Sequence, residues 1–472
     1  MHNTVNKNLL LYVFTAIFFV PMIILNRDLW DGVIISHAFV TKNTEIYWNW
    51  FTETGWFLTP YMYDVFYHLF SEANFLQIFY IFFLFCHVFS AHQIYILSHD
   101  VFDFGEWPSL TASAIFALSP LWNIYFSTVF LMHAFTLALA LYCINRLLKY
   151  RTKTFIIFSI ISLLAFQQAS IPPIIIAILG MEYLLQREKK KIPFILGYVL
   201  LSVAFFMYTR YSFPAHGLYE SYNGMNVGNI FEWGHYKVFL QYIQEVYPLF
   251  ALLLIISVFL TDNRYKVLLF TGLIFAAIIP FIVVGKPPWP SHLFVTEGWE
   301  QRQAITLTVS ISLIFGLVHM ILRQSKYKFL ALSVYISIAV LSLKFYSSVE
   351  VKVKSVLIQD ALVSLFKENT NAIGECGIVL TVDAPPAFRN LSSYELSYLT
   401  WQAFGQRKYI YLSSRKPTSI DTKDIYRDKY ILPDEYPKCM KNASLLTNID
   451  ELKLYELFTD QYLKQSLEIK TP

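Results

Sequence analysis

With 472 residues, 56% of them hydrophobic, only 15% charged and a mean hydropathy of +0.46, the chain is too apolar for a soluble globular protein. Its net charge of +4 is small and unevenly spread: Lys and Arg gather around 149–153, 187–191, 264–266 and 323–328, in short breaks between apolar runs. Basic clusters so placed mark membrane topology and argue against a nucleic-acid surface.

Residues 1–8 read as a short cytoplasmic tail, followed by a first apolar run over 9–26. That run lacks a small-residue cleavage site, so a retained helix is expected and not a signal peptide. Further spans are expected at 75–97, 109–121, 129–148, 154–168, 172–186, 192–209, 240–260, 267–284, 304–322 and 328–347. The fold class is thus a polytopic α-helical membrane protein with about 11 transmembrane helices. Counting spans puts all four basic clusters on one face, which the positive-inside rule makes cytoplasmic. The loops at 27–74, 210–239 and 285–303 then lie outside, as does the C-terminus.

After the last span the composition changes. Residues 1–348 are expected to form a transmembrane catalytic domain and 349–472 a small extracytoplasmic α/β domain. The latter has strand-like runs at 377–382 and 408–412 and helix-like runs at 392–404 and 450–464. Cys376 and Cys439 are its two cysteines and could form a disulfide in an oxidising compartment; Cys86 and Cys143 lie in spans. Asn390 and Asn442 stand in N-glycosylation acceptor patterns, which matter only in a host that uses them.

Three segments facing outward carry more polar chemistry than packing requires. The first follows the first span and contains Asp28 and Asp31, then Glu45, Glu53 and Asp64, among Trp30, Trp48, Trp50 and Trp56. The run from Ile34 to Val40 within it could form a helix lying in the interface. Carboxylates at a membrane boundary are costly unless paired or used, and the spacing lets one act as base while the other supports it or shares a divalent cation, Mg2+ or Mn2+. The plainer alternative is that both mark the span end and pair with Arg27. The second segment precedes the span at 304 and holds Lys286, His292, Glu297, Glu300 and Arg302 among prolines and tryptophans. Its arginine suits a phosphate or pyrophosphate through its planar fork of donors, or simply an ordinary lipid headgroup. Arg210 and His216 are weaker candidates of the same kind. The third segment, with His133, Gln167 and Gln168, could bind substrate or bond across helices.

There is no GxxxxGK[ST], no GxGxxG and no Cys/His metal pattern. An enzyme fed by a lipid-linked donor needs none of them. Asp28-Leu-Trp-Asp31 followed by Gly32, the aromatic stretch ending in Trp56-Phe-Leu-Thr-Pro60, and the late Trp299-Glu-Gln-Arg302 together resemble the GT-C superfamily of polytopic, lipid-phosphosugar-dependent glycosyltransferases. Where that family commonly has adjacent acids, this chain separates its two aspartates by Leu29 and Trp30. The resemblance implies a polyprenyl-phosphate sugar donor and a surface glycan, glycolipid or protein acceptor. It implies transfer with inversion at the outer face of a bacterial inner membrane, with no nucleic-acid partner. Carried onto this chain, Asp31 is the first choice of base, with Asp28 in reserve or as metal partner. Arg302, Lys286, His292 and Arg210 would bind donor phosphate, and Trp56, Glu300 and His133 substrate. The rivals are a lipid-linked glycan flippase, a surface-polysaccharide polymerase or ligase, and a non-enzymatic scaffold. The flippase calls for ionisable groups within spans, whereas the spans drawn here read as nearly uncharged through their centres.

Overall fold

The computed structural model describes residues 2–70, 75–167, 170–220, 224–288, 299–368, 378–381, 399, 401–405, 410–413 and 444–447. The chain is an α-helical protein with six helices long and apolar enough to cross a membrane, or seven if one bent pair counts as a single span. Helix α1 (His2–Leu25) shows how sequence spacing sorts its faces. Leu10, Val13, Ile17, Val20 and Ile24, three or four residues apart, are exposed, while Thr15, Phe18, Phe19 and Met22 are buried. Such an outward apolar stripe suits lipid.

Three short helices follow: α2 (Gly32–Thr41), α3 (Glu45–Glu53) and α4 (Thr59–Leu69). The sequence suggests that the first of these lies in the membrane interface. Instead every residue from Gly32 to Phe39 is buried, and Phe39 stacks on Phe75 at 4.9 Å, at the start of α5 (Phe75–Ile96). Asp64 ties α3 to α4 by accepting the Tyr47 hydroxyl and, at 3.0 Å, the Trp48 indole N–H.

Helix α6 (Glu106–Ala117) is shorter than the span expected there, because the chain turns into a 3-10 segment, Pro120–Phe126, and then another, Thr128–Phe130. Next come α7 (Leu131–Leu147), α8 (Thr152–Leu163), α9 (Ile171–Gln186) and α10 (Ile192–Ser212). The run at 240–260 is not one helix. It divides into α11 (Trp233–Val246) and α12 (Phe250–Leu260), bent by 92° at Tyr247–Leu249. Pro248 has no N–H to continue the ladder, and Leu249 is left-handed at φ 65°. Non-helical backbone among spans needs internal partners, and these are present. Lys344 donates to the Glu245 carbonyl, Ser337 to that of Pro248 at 3.4 Å, and the Tyr247 hydroxyl meets Ser119 and Thr308, each at 3.0 Å.

Helix α13 (Arg264–Val283) leads towards the 3-10 turn Trp299–Ala304 and α14 (Ile305–Gln324), which is buried from Ile305 to His319 and forms the centre of the fold. Close approach there depends on Gly316: a Cβ at that position would lie 3.0 Å from the Ala112 Cβ, the Phe104 ring and the Pro108 carbonyl. Helix α15 (Leu332–Glu368) has 37 residues. A domain boundary at 348/349 therefore falls inside a continuous helix, since nothing in VEVKVKSVLIQDALVSL breaks one. Three short parallel strands, β1 (Ile378–Thr381), β2 (Ile410–Ser413) and β3 (Ser444–Thr447), pair in the order β2-β1-β3. Cys376 and Cys439 lie outside the described residues.

Candidate active site

Asp28 is the anchor on which the first segment is built. It is buried, and each carboxylate oxygen accepts two hydrogen bonds. Oδ1 takes the N–H groups of Leu29 and Thr128, both at 3.0 Å. Oδ2 takes the hydroxyls of Ser36 at 2.6 Å and Thr128 at 2.5 Å. Burial pushes the Asp28 carboxyl up to about 6, even though its four donors act in the opposite direction. Gly32 makes the arrangement sterically possible: a Cβ there would sit 1.9 Å from Asp28 Oδ1 and 2.5 Å from Ser127 Oγ. The Gly32 N–H donates to that same Ser127 oxygen at 3.0 Å, and the Tyr63 hydroxyl donates to the Thr128 carbonyl at 2.8 Å. A loop near residue 30 is thus fastened to one near residue 128.

Asp31 immediately precedes α2 and is 6% exposed, yet its side chain is not used to cap that helix. Between the two acids, Trp30 adopts a left-handed backbone, φ 52°, a costly conformation for a bulky residue. Its ring meets Phe130 edge-on at 6.3 Å. Phe130 meets His133 at 5.2 Å, and His133 meets Trp56 at 5.3 Å. His133 is 6% exposed, and its Nδ1 finds no hydrogen-bond partner among the described residues. Arg302 lies close enough to His133 to interact with it electrostatically, and one guanidinium nitrogen of Arg302 is buried. Three segments far apart in the chain, each suspect for its own polar residues, therefore meet in one row: Trp30, Phe130, His133 and Trp56, with Arg302 beside His133 and the buried Asp31 next to Trp30 in the chain.

The chain matches no family model, no curated protein and no solved structure. The chemistry of these side chains therefore carries the functional reading.

Other expected site residues stand differently. The backbone of Lys286 is held by its N–H on the Phe281 carbonyl at 2.9 Å, and the Gln303 amide faces the Lys286 and Pro287 carbonyls, the latter 2.7 Å from its NH2 group. That contact seats the start of the 285–303 loop against its end. Glu300 lies in the 3-10 turn, but its side chain is outside what the structure describes, and His292 is wholly outside it. Arg210 is exposed on α10, its guanidinium 5.5 Å from the Phe206 ring centroid. Contact with the first segment is made three residues later, where Phe213 stacks on Phe57 at 4.4 Å.

The donor set does not fit the divalent cation considered for Asp28 and Asp31. Both Asp28 oxygens already face two donors each, and a cation would have to displace them. Among the described residues no three His, Cys, Asp or Glu side chains cluster as a metal site.

Residue spacing did not reveal Ser36, Ser127, Thr128 or Lys352. The first three are ordinary small polar residues whose role exists only in the folded contact. Lys352, on α15, is 4% exposed and holds its ammonium 3.9 Å from the centroid of the Trp30 ring.

Proposed function

We propose that the chain is a membrane glycosyltransferase that moves a sugar from a polyprenyl-phosphate donor to a hydroxyl of a glycan, glycolipid or protein. The observation that supports this reading is the row Trp30, Phe130, His133 and Trp56, with Arg302 beside His133 and Asp31 following Trp30 in the chain. Asp31 takes the proton of the acceptor hydroxyl while its oxygen attacks the anomeric carbon. The bond from that carbon to the phosphate oxygen breaks, its electron pair leaves with the carrier phosphate, and one displacement gives inversion. Arg302 receives the growing phosphate charge through its fork of donors. Trp56 offers a flat face to the sugar, and His133 Nδ1 a hydrogen-bonding group for one of its hydroxyls. Asp28, with its acceptor positions filled, holds the loop that presents Asp31.

The topology that goes with this reading has about eleven crossings, the bent α11–α12 pair counting as one. Its support is a set of contacts at two ends. At one end Phe213 meets Phe57 and the Asn226 N–H meets the Val283 carbonyl at 2.9 Å; at the other Lys266 reaches the Phe102 carbonyl at 3.3 Å. With the basic clusters inside, the row lies at the outer face of a bacterial inner membrane, the N-terminus is cytoplasmic, and the C-terminal region is a small extracytoplasmic α/β domain.

One observation favours a second reading, a flippase for lipid-linked glycans. A broken helix and the buried Lys344 beside it are features that line substrate paths in transporters. The test uses purified protein in lipid nanodiscs with a panel of polyprenyl-phosphate sugars and measures released polyprenyl phosphate. Release that Asp31→Asn abolishes and Asp28→Asn leaves largely intact supports the transferase and names its base. Lipid-linked sugar crossing the bilayer without any release would replace it with the flippase.

A further inference from the structure

Helix α10 has 21 residues, a length of about 30 Å at the α-helical rise, with Lys191 before its first residue and Phe213 after its last. Phe213 stacks on Phe57, beside the aromatic row, so Lys191 lies at the opposite end of the spans. There it joins two basic loops, 149–153 and 187–191, into one surface. Lys191 is buried and donates to the Glu182 carboxylate and the Gln186 amide oxygen, both on α9. Its ammonium also stands 4.9 Å from the centroid of the Tyr150 ring, and the Tyr150 hydroxyl donates to the other Glu182 oxygen at 3.0 Å. Phe194 meets Tyr150 at 5.8 Å and Phe155 at 5.0 Å, which packs the start of α10 against the start of α8.

The consequence is electrostatic. Glu182 is paired inside the protein, and Glu188, the other acid of these loops, is paired with Lys190 at 2.9 Å. Lys149, Arg151, Lys153, Arg187, Lys189 and Lys190 are all exposed around them. Membrane topology asks only that such cations stay on one side; it does not ask that two loops be fastened together. Both helices that leave the loops carry apolar side chains outward: Ile156, Ile157 and Ile160 on α8, and Leu196, Leu200 and Val203 on α10. The Ser162 and Tyr198 hydroxyls, 2.9 Å apart, tie the two helices further along.

We propose that the joined loops hold the headgroup of an anionic phospholipid whose acyl chains lie along α8 and α10. The surface selects that class by its two halves, cations for the headgroup phosphate and exposed apolar side chains for the chains. A soluble anion would use the first half and leave the second bare. A zwitterionic lipid would bring a cation of its own against six. The lipid has structural work to do, because Tyr198 and Ser202 are the buried residues along the whole of α10. A headgroup that bridges the two loops adds to the little that holds this helix. The site is separate from the aromatic row and does not rest on the transferase reading.

The test titrates lipid into the full-length protein in detergent and reads the bound lipid by native mass spectrometry. Cardiolipin is the probe, phosphatidylethanolamine the zwitterionic control and inorganic phosphate the free anion. The wild type should hold cardiolipin at least about tenfold more tightly than phosphatidylethanolamine. Arg151→Gln and Lys189→Gln, one from each loop, should each weaken cardiolipin roughly fivefold, and together roughly twentyfold. Lys326→Gln with Lys328→Gln removes the same charge from a separate basic cluster and should leave cardiolipin binding within about twofold. Equal weakening by that control pair overturns the proposal, since net charge and not the joined loops would then hold the lipid. Cardiolipin binding unchanged in Arg151→Gln with Lys189→Gln also overturns it. So does phosphatidylethanolamine held as tightly as cardiolipin, and so does inorganic phosphate bound as tightly as the lipid. If the Arg151 and Lys189 double variant does not fold, Lys149→Gln with Lys190→Gln takes its place in the same comparison.

Discussion

Asp28→Ala and Asp28→Asn should behave very differently. Alanine leaves two N–H groups and two hydroxyls, all now directed at the carboxylate, buried without their acceptor. One of them, the Thr128 hydroxyl, keeps a second acceptor in the Gly32 carbonyl at 3.3 Å. At roughly 1–3 kcal/mol for each donor left unsatisfied, and allowing the hydroxyls to rotate, the loss is about 3–5 kcal/mol. That is a large share of the stability of an ordinary domain. Asparagine keeps one oxygen for the two N–H donors and offers its NH2 group to the two hydroxyls, which can reverse their direction. It should cost less than about 1 kcal/mol.

Charge adds a pH signature to the same experiment. The folded Asp28 carboxyl is raised by burial from its ordinary 3.8 to about 6, so the folded state holds the proton more tightly than the unfolded chain does. The stabilisation this brings is fully present below the unfolded value and is lost as pH rises through 6, a change of roughly 3 kcal/mol. Asparagine removes that slope. Unfolding in mixed SDS micelles between pH 4 and 7.5, followed by Trp fluorescence, should therefore show the wild type losing stability relative to Asp28→Asn as pH rises. Polyprenyl phosphate release should survive in Asp28→Asn. A variant that folds normally but transfers nothing, while Asp31→Asn stays active, would make Asp28 the base and refute the anchor argument. Equal stabilities for the Ala and Asn variants would refute the hydrogen-bond reasoning.

Gly32→Ala should lose at least about 3 kcal/mol, because its new methyl group displaces the Asp28 carboxylate and the donors that carboxylate satisfies. Gly316→Ala, whose nearest contacts are at 3.0 Å, should lose about 1–3 kcal/mol from overpacking, and the same unfolding assay ranks the two. The buried pair of Lys191 with Glu182, whose side chains are 7% and 4% exposed, gives a cycle of its own. Lys191→Met alone should cost roughly 3–5 kcal/mol, and adding Glu182→Gln should recover most of that, because the stranded charge disappears with its partner. A double variant no better than the single would show that the pair stabilises outright.

The helical, membrane-spanning character of the chain was legible because a lipid environment imposes long apolar runs with charged breaks between them. The break at Pro248 was not, since hydropathy over 240–260 stays high whichever way the backbone turns. Asp28 and Asp31 are chemically identical and three residues apart in the sequence. Contacts made in the fold, with Ser36 a turn or two on and with Thr128 a hundred residues away, distinguish the anchor from the acid whose side chain is not used to cap α2. His133 and Arg302 could be marked singly, as polar groups where apolar ones would do, but their meeting could not. Arg210 carried the same mark and proved to lie on an exposed helical face. Lys352 falls beyond the last expected span, at 328–347, whereas the helix continues past it and buries that lysine.

The length of α15 has a mechanical consequence. Thirty-seven residues make a rod of about 55 Å, while the hydrocarbon layer of a bilayer is about 30 Å thick. Such a rod accommodates a thinner or thicker bilayer mainly by tilting. Its far part carries Lys352 above Trp30 and Asp360 against Arg27. A change in the tilt of this rod would therefore be felt at the Lys352–Trp30 and Asp360–Arg27 contacts, next to the loop that carries Asp31.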